Sequence, residues 1–401
     1  MAETMTLADH FRAFAESSAR DGAVTYGTIC RGAADDPELL GLVARAPVTQ
    51  QRPNLLLAAV HFLLLGGAPH PLATHYDTVA AYLGTDPVAP VGHLRLEFKD
   101  FCMTHRDELL ELIATGSTQT NEVGRCTALL PALSHIAAGY DRGQPLGLLD
   151  LGTSAGLNLL FDRYAYTYRP RHGGRDGDGE GEGDHRDSDP ATLEAGDPSS
   201  AVRLECSVRG GLGSLPSLGV PSVTSRAGLD RAPIDPRNEA GARWLLACMW
   251  PDHLPRFARV RAALEIARAD AHPPVLHTGD MVDDVGAVVE TVAPGQPLVV
   301  FHSWVAAYLA EARQRELVDA VRRLSTSRPV HYLYAESPVD TRGLPTPPSP
   351  EPGPTSDVAT VLVHVPPNGA AVRLADMHHH GRSLRWWPSP PTSSGFPERG
   401  R

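Results

Sequence analysis

From residue 5 to about residue 142 the apolar residues recur at helical spacing: Phe11, Phe14 and Ala15, then Leu39, Leu40 and Val43, then Leu55 through Leu65, then Leu109, Leu110 and Ile113. Pro and Gly punctuate the gaps, as at Gly66-Gly67-Ala68-Pro69. The pattern predicts an all-helical N-terminal domain over residues 1–142. After residue 146 the texture changes to short apolar runs alternating with amphipathic stretches, which is how a parallel sheet with crossover helices is written. Strands are predicted at Leu146 to Leu151, in a run ending at Leu229-Asp230, and at Val275 to Thr278, Leu298 to His302 and Val330 to Tyr334. Helices are predicted at about 155–164, 238–270, 281–292 and 305–325. Val358 to Val365 and Ala371 to Met377 flank Pro366-Pro-Asn-Gly369, a hairpin signal. The second domain, residues 143–388, therefore reads as α/β, with a mostly parallel sheet and a C-terminal antiparallel hairpin.

Three segments resist assignment to packed structure. Residues 170–200 include Gly177-Asp-Gly-Glu-Gly-Glu-Gly-Asp184 and hold too little apolar surface to offset the cost of ordering, so a disordered insertion is expected there. Residues 338–357 read as a Pro-rich linker and 389–401 as a disordered tail. Much of the acid behind the formal charge of −11 lies in the first of these, so the charge indicates neither nucleic acid nor any other general class of partner. The longest apolar run, Leu55 to Leu65, is too short to span a bilayer, and the N-terminus has no signal-peptide pattern. Five scattered cysteines with no C-x-x-C pair point to a reducing compartment, and a cytoplasmic location is expected. Oligomeric state is left open by the composition.

The most informative stretch is Leu146-Gly-Leu-Leu-Asp150-Leu-Gly152-Thr153-Ser154-Ala-Gly156-Leu-Asn158, an apolar strand that ends in an acid and a glycine-rich turn. Open α/β sheets use such a turn to bring backbone N–H groups and a helix N-terminus to a ligand. A dinucleotide fingerprint would need glycine where Ser154 stands, and a Walker loop needs a lysine, whereas the chain's one lysine is Lys99, well upstream. Gly152-Thr-Ser154-Ala-Gly156 does match the hydrolase nucleophile elbow, with Asp280 and His331 or His380 following in the appropriate order. Against the elbow, the region before residue 146 reads as helical, leaving no earlier strands beside it. A tight turn without a ligand is the plainer alternative. Asp150-Leu-Gly152-Thr-Ser154-Ala-Gly156 resembles motif I of class I S-adenosylmethionine-dependent methyltransferases, Asp/Glu-x-Gly-x-Gly-x-Gly, with serine at the middle glycine. That resemblance implies a Rossmann-like class I methyltransferase-type sheet, S-adenosylmethionine as cofactor, and Asp150, Gly152, Thr153, Ser154, Gly156 and Asn158 near it.

Methyl transfer is an in-line displacement at a sulfonium carbon, so alignment and at most one base are needed. The cofactor's ribose calls for an acid after the second strand and its adenine for a polar group after the third; Asp230 and Asp280 stand at those places. Asp230 lies far beyond the usual βαβ spacing, so Tyr164 to Tyr168 remains open as the second strand. Both acids also suit turn or cap roles. His302 and Glu336, ending the fourth and fifth strands, are candidate bases, and Trp304 is a stacking surface for a planar substrate. Gln119, Asn121, Glu122 and Arg125 form a polar run that could act as a substrate-side lid, with N-capping as the alternative for its threonines. His378 and His380 share a strand face but lack a clear third ligand, so no metal site is assigned.

Several runs together resemble a bacterial family known as domain of unknown function 2332: Arg52-Pro-Asn-Leu-Leu-Leu-Ala-Ala-Val-His61, Gln119-Thr-Asn-Glu-Val-Gly-Arg125, Ser154-Ala-Gly-Leu-Asn-Leu159, Trp244-Leu-Leu-Ala-Cys-Met-Trp-Pro251, His302-Ser-Trp304 and His378-His-His-Gly381. The likeness spans nearly the whole chain and implies no particular activity. The expected function is methyl transfer from S-adenosylmethionine to a small molecule. A serine hydrolase using Ser154 and a non-catalytic ligand-binding protein stand as alternatives.

Overall fold

A computed structural model describes residues 5–89, 92–171, 191–292, 294–351 and 360–387. Its helices are α1 (Leu7–Arg20), α2 (Val24–Ala33), α3 (Pro37–Val43), α4 (Pro53–Leu65), α5 (Asp77–Leu83), α6 (Leu94–Thr104), α7 (Arg106–Thr115), α8 (Cys126–Ala137), α9 (Glu239–Ala247), α10 (Leu254–Ala269), α11 (Val285–Val289) and α12 (Glu311–Leu324). Its strands are β1 (Leu146–Leu151), β2 (Ala165–Pro170), β3 (Leu193–Gly196), β4 (Arg203–Arg209), β5 (Val223–Asp230), β6 (Val275–Thr278), β7 (Leu298–Ser303), β8 (Val330–Glu336), β9 (Thr360–Val365), β10 (Val372–Met377) and β11 (Ser383–Trp386). The chain divides into two compact units, residues 1–121 with 234–269, and residues 122–233 with 270–401.

The first unit is helical. Thr6 and Asp9 form a capping box that starts α1, and Asp36 caps α3 by accepting from Glu38 and Leu39. Its centre is α4, apolar all round and buried along nearly its whole length. His61, within that helix, is fully buried; Nδ1 lies 3.1 Å from the Ala247 carbonyl and Nε2 2.8 Å from Thr78 Oγ1. This bonding explains why residues 234–269 join the first unit, where the sequence pattern placed them after the 142/143 boundary. The single helix expected over 238–270 is two, α9 and α10, separated around Pro251.

The second unit is a mixed α/β body around one sheet of eleven strands, ordered β3-β2-β4-β11-β10-β9-β8-β7-β1-β5-β6. Most neighbouring pairs are parallel. The antiparallel ones are β2–β3, β8–β9, β9–β10 and β10–β11. All of the predicted strands form, and β9 and β10 make the expected hairpin. Read outward from β6, the parallel strands run β6-β5-β1-β7-β8, so the strand order reverses between β1 and β7. Leu149, Val300 and Tyr332 face a core built with α11 and α12. By strand alternation Asp150, Phe301 and Leu333 face the other way. β2 forms where Tyr164 to Tyr168 was held open as a strand, and β3, β4 and β11 extend the sheet beyond what the pattern predicted; β4 does alternate buried and exposed residues, a period-2 signal present in the sequence. Because β5 pairs with β1, whereas β2 lies far across the sheet, the second strand beside the turn is the one ending at Asp230 and not Tyr164 to Tyr168.

The helix expected at 155–164 is instead a 3-10 helix, Leu157–Arg163, with non-helical dihedrals at Leu160. Side chains from its own end and from the sheet take its carbonyls: Tyr164 and Tyr166 hydroxyls donate to Leu157 and Phe161, and Arg226 donates to Leu159. Of the segment expected to be disordered, residues 172–190 lie outside the described residues, while β3 occupies 193–196. The first part of the expected Pro-rich linker is docked. Leu344 is buried in the core, Gly343 N–H donates to Gln314 Oε1 at 2.8 Å, and Gln314 Nε2 donates to the Asp340 carbonyl. Residues 352–359 and the expected tail, 389–401, lie outside the described residues. Among the described residues no helix is long and apolar enough to cross a membrane.

Candidate functional site

Three residues of the turn after β1 have left-handed backbones: Gly152 (φ +72°), Ser154 (φ +53°) and Gly156 (φ +71°). Glycine takes this conformation freely, whereas serine does so at a cost that surrounding bonds must offset. Ser154 N–H donates to Asp230 Oδ2 at 2.8 Å, and Ala232 N–H donates to Oδ1 at 2.9 Å. Asp230 thus stitches the turn to the end of β5. Gly152 N–H adds a bond to the Leu229 carbonyl at 2.8 Å. The turn sits at the C-terminal ends of parallel strands where the strand order reverses, the position at which open α/β sheets hold ligands.

Asp150, Thr153, Ser154 and Asn158 are all buried beneath this turn. Burial pushes the Asp150 carboxyl well above the usual carboxylate range; a Thr153 hydrogen bond and the Arg125 charge pull the other way, and Asp230 adds to the rise. Asp280 behaves oppositely. Burial opposes its ionisation, but the Arg231 hydrogen bond and the N–H groups of Val282 and Asp283 bring it down to about 2. Its oxygens lie 2.7 Å from Arg231 and 2.9 Å from Arg313, so the carboxylate expected to read adenine is occupied by two arginines.

Segments distant in sequence converge on the same edge of the sheet. Arg125, only 8% exposed, donates Nε–H to the His379 carbonyl at 2.9 Å and Nη1–H to the Ser303 carbonyl and hydroxyl at 3.1 and 3.2 Å. Its guanidinium carbon lies 5.9 Å from the Trp304 ring centroid. Glu122 Oε2 is 3.1 Å from His380 Nδ1, and Thr127 donates to the Gly381 carbonyl at 2.8 Å. A cavity of about 20 Å³, room for one water, is lined by Arg125, Asn158, Ser303, Phe301, Leu333 and Leu362. Of the four residues expected to form a lid, Glu122 and Arg125 therefore belong to this edge as buried ties, while Gln119 and Asn121 belong to the first unit. Ser303 and the backbone of His379 escaped prediction because their role depends on contacts 178 and 254 residues away.

His302 and Glu336, expected as bases, are 1% and 2% exposed. His302 Nδ1 lies 2.7 Å from Glu336 Oε1 and Nε2 2.7 Å from Tyr332 Oη. Both ring nitrogens are spent inside the protein, which leaves no lone pair for a substrate proton. Trp304 also has a left-handed backbone (φ +55°), and its Nε1–H donates to Thr360 Oγ1 at 2.7 Å. Among the described residues no group of three or more His, Cys, Asp or Glu side chains is placed to hold a metal ion.

A family model described as "Uncharacterized protein conserved in bacteria (DUF2332)" matches residues 8–386. No curated protein and no solved structure matches the chain.

Proposed function

We propose that this chain, which belongs to the DUF2332 family of bacterial proteins, is an S-adenosylmethionine-dependent methyltransferase acting on a small molecule. The observation that carries this reading is the left-handed run Gly152, Ser154, Gly156 at the strand-order reversal, tied to the acid that ends the neighbouring strand. In this reading the second unit is a Rossmann-like, methyltransferase-type sheet. The residues present suit the cofactor's chemistry. S-adenosylmethionine carries hydroxyl and ammonium donors and a positive sulfonium, and the edge of the sheet offers the carboxyl groups of Asp150, Asp230 and Glu122. Each Asp230 oxygen accepts one backbone N–H and keeps a lone pair for a ribose hydroxyl. Asp280 enters as the anchor of Arg231, not as an adenine contact.

When bound, the cofactor supplies an electrophilic methyl on sulfur; the chain's part is to bind, orient and exclude water. Thr153, Ser154 and Asn158 would border the cofactor, and Trp304 would offer a stacking face to the acceptor. Calorimetric titration with S-adenosylmethionine and S-adenosylhomocysteine, with NAD and ATP as controls, tests the reading. Micromolar binding of the first pair alone is expected, and Asp230→Ala should weaken it about tenfold through loss of the ribose contact. No binding of either compound would reject the reading.

Ser154 has the kind of strained strand-end backbone that a nucleophile elbow uses, which favours a hydrolase as second reading. The expected partners fit it less well. His331 is level with Leu148 through β7 and is bonded to Tyr140 and His364, and Asp280 is held by arginines. Labelling of Ser154 by a fluorophosphonate would favour this reading over methyl transfer. Cofactor binding without turnover on any acceptor would favour a ligand sensor.

A further inference from the structure

The Glu336 carboxyl group is bonded on one side only. Oε1 receives three donors, His302 Nδ1–H at 2.7 Å, Val305 N–H at 3.0 Å and Ala306 N–H at 3.1 Å, whereas Oε2 is buried without a hydrogen-bond partner among the described residues. A buried carboxyl oxygen left bare is costly, so the three bonds to its twin must hold something the fold needs.

What they hold is the segment that leaves β7. Trp304 has a left-handed backbone, uncommon for so bulky a residue, and the next two N–H groups are the ones Glu336 grips. Val305, between them, packs directly on the glycine turn; a Cβ added at Gly152 would lie 2.5 Å from Val305 Cγ2 and 2.9 Å from its Cβ. The connection therefore runs Tyr332, His302, Glu336, Val305, Gly152, each step a contact.

We infer that Glu336 and His302 are positioning residues. Through the Val305 and Ala306 N–H groups they hold the backbone that follows Trp304, and through the Val305 side chain the Gly152 turn, in the arrangement that receives cofactor and acceptor. The inference rests on the methyltransferase reading of the turn, but its structural half does not require a ligand. With Tyr332 donating to Nε2, the His302 proton sits on Nδ1 and points at Glu336, so His302 serves to orient the carboxylate and not to accept a substrate proton.

The test uses the full chain labelled with 5-fluorotryptophan, its Trp304 fluorine signal assigned by Trp304→Phe, together with calorimetric titration by S-adenosylhomocysteine. Glu336→Met removes all three bonds; the Trp304 signal should move or broaden and affinity should fall about tenfold or more. Glu336→Gln keeps an oxygen in the Oε1 position and should restore both the signal and affinity to within about threefold of wild type. Val305→Ala should leave the Trp304 signal in place yet weaken binding. Should Glu336→Met not fold, Glu336→Asp, which withdraws the oxygen by one methylene, should displace the signal in its stead. An unmoved Trp304 signal in Glu336→Met or Glu336→Asp would overturn the inference, as would Glu336→Gln losing as much affinity as Glu336→Met. If wild type binds no cofactor at all, the methyltransferase reading fails while the fluorine signal still decides whether Glu336 holds the segment.

Discussion

Gly152→Ala separates two costs that the structure stacks at one position. The first is conformational: at φ +72° an L residue loses about 1–2 kcal/mol relative to glycine. The second is steric. The new Cβ would stand 2.5 Å from Val305 Cγ2, where relaxed carbon contacts are about 3.5–4.0 Å, so Val305 must move by roughly 1 Å against the grip of Glu336. Overpacking of this kind costs about 1–3 kcal/mol, which brings the expected total to about 2–5 kcal/mol. Gly143 supplies the control within the same unit. Its φ is +86° and nothing lies within 4 Å of an added Cβ, so Gly143→Ala should lose only the conformational part. In a Val305→Ala background the Cγ2 clash is gone and the Cβ contact at 2.9 Å remains, so most but not all of the steric cost should disappear. Urea unfolding of the four variants, compared at constant m value, measures both terms. Gly152→Ala costing no more than Gly143→Ala, or costing the same with and without the Val305 side chain, would refute the reasoning.

Two further outcomes follow from buried groups in the same unit. Burial lowers His331 to about 4, with the His135 charge adding to it, and lowers His364 to about 3, with His331 and His135 adding. The unfolded values are near 6.5, so the unfolded chain binds more protons; stability is complete above pH 6.5 and falls as pH drops toward 4, by up to about 1.4 kcal/mol per pH unit for each histidine. Stability curves against pH should therefore be flatter for His364→Gln than for wild type over that window, and an unchanged slope would show that the pair is not the source. Arg226 holds Asp162 through two bonds of 2.9 Å with side chains only 10% and 17% exposed, so Arg226→Met should leave a partly buried acid with Arg163 alone, 4.0 Å away, at a cost of about 1–3 kcal/mol in urea unfolding. A loss below about 1 kcal/mol would mean that the pair contributes as a surface bridge does.

Much of the second unit was legible residue by residue. The alternation of apolar runs located every strand from β5 to β10 as well as β1, and the glycine-rich turn announced itself through spacing that few other structures need. The failures have physical causes. The turn leads into a 3-10 helix because hydroxyls of Tyr164 and Tyr166 and the guanidinium of Arg226 compete for its carbonyls, and no local propensity reports such competition. His302 and Glu336 sit where strand ends commonly present chemistry, yet their side chains point to the α11 and α12 face. Alternation made that direction readable only once Val300 and Tyr332 were known to face the same core.

Sequence alone determined the helical character of the first unit, the strands β1 and β5 to β10, the existence of the turn and its acid, and the short motifs by which the family is recognised, because each of these is written in residues close together in the chain. Tertiary structure alone decided which motifs meet. Arg125 joins Ser303 and His379, Asp230 reaches Ser154, and Val305 closes on Gly152 across separations that no periodicity spans. It also decided which carboxyl groups are spent on arginines and which are left buried beside the turn. Those outcomes depend on burial and partner charge, properties a residue acquires only when the sheet has assembled around it.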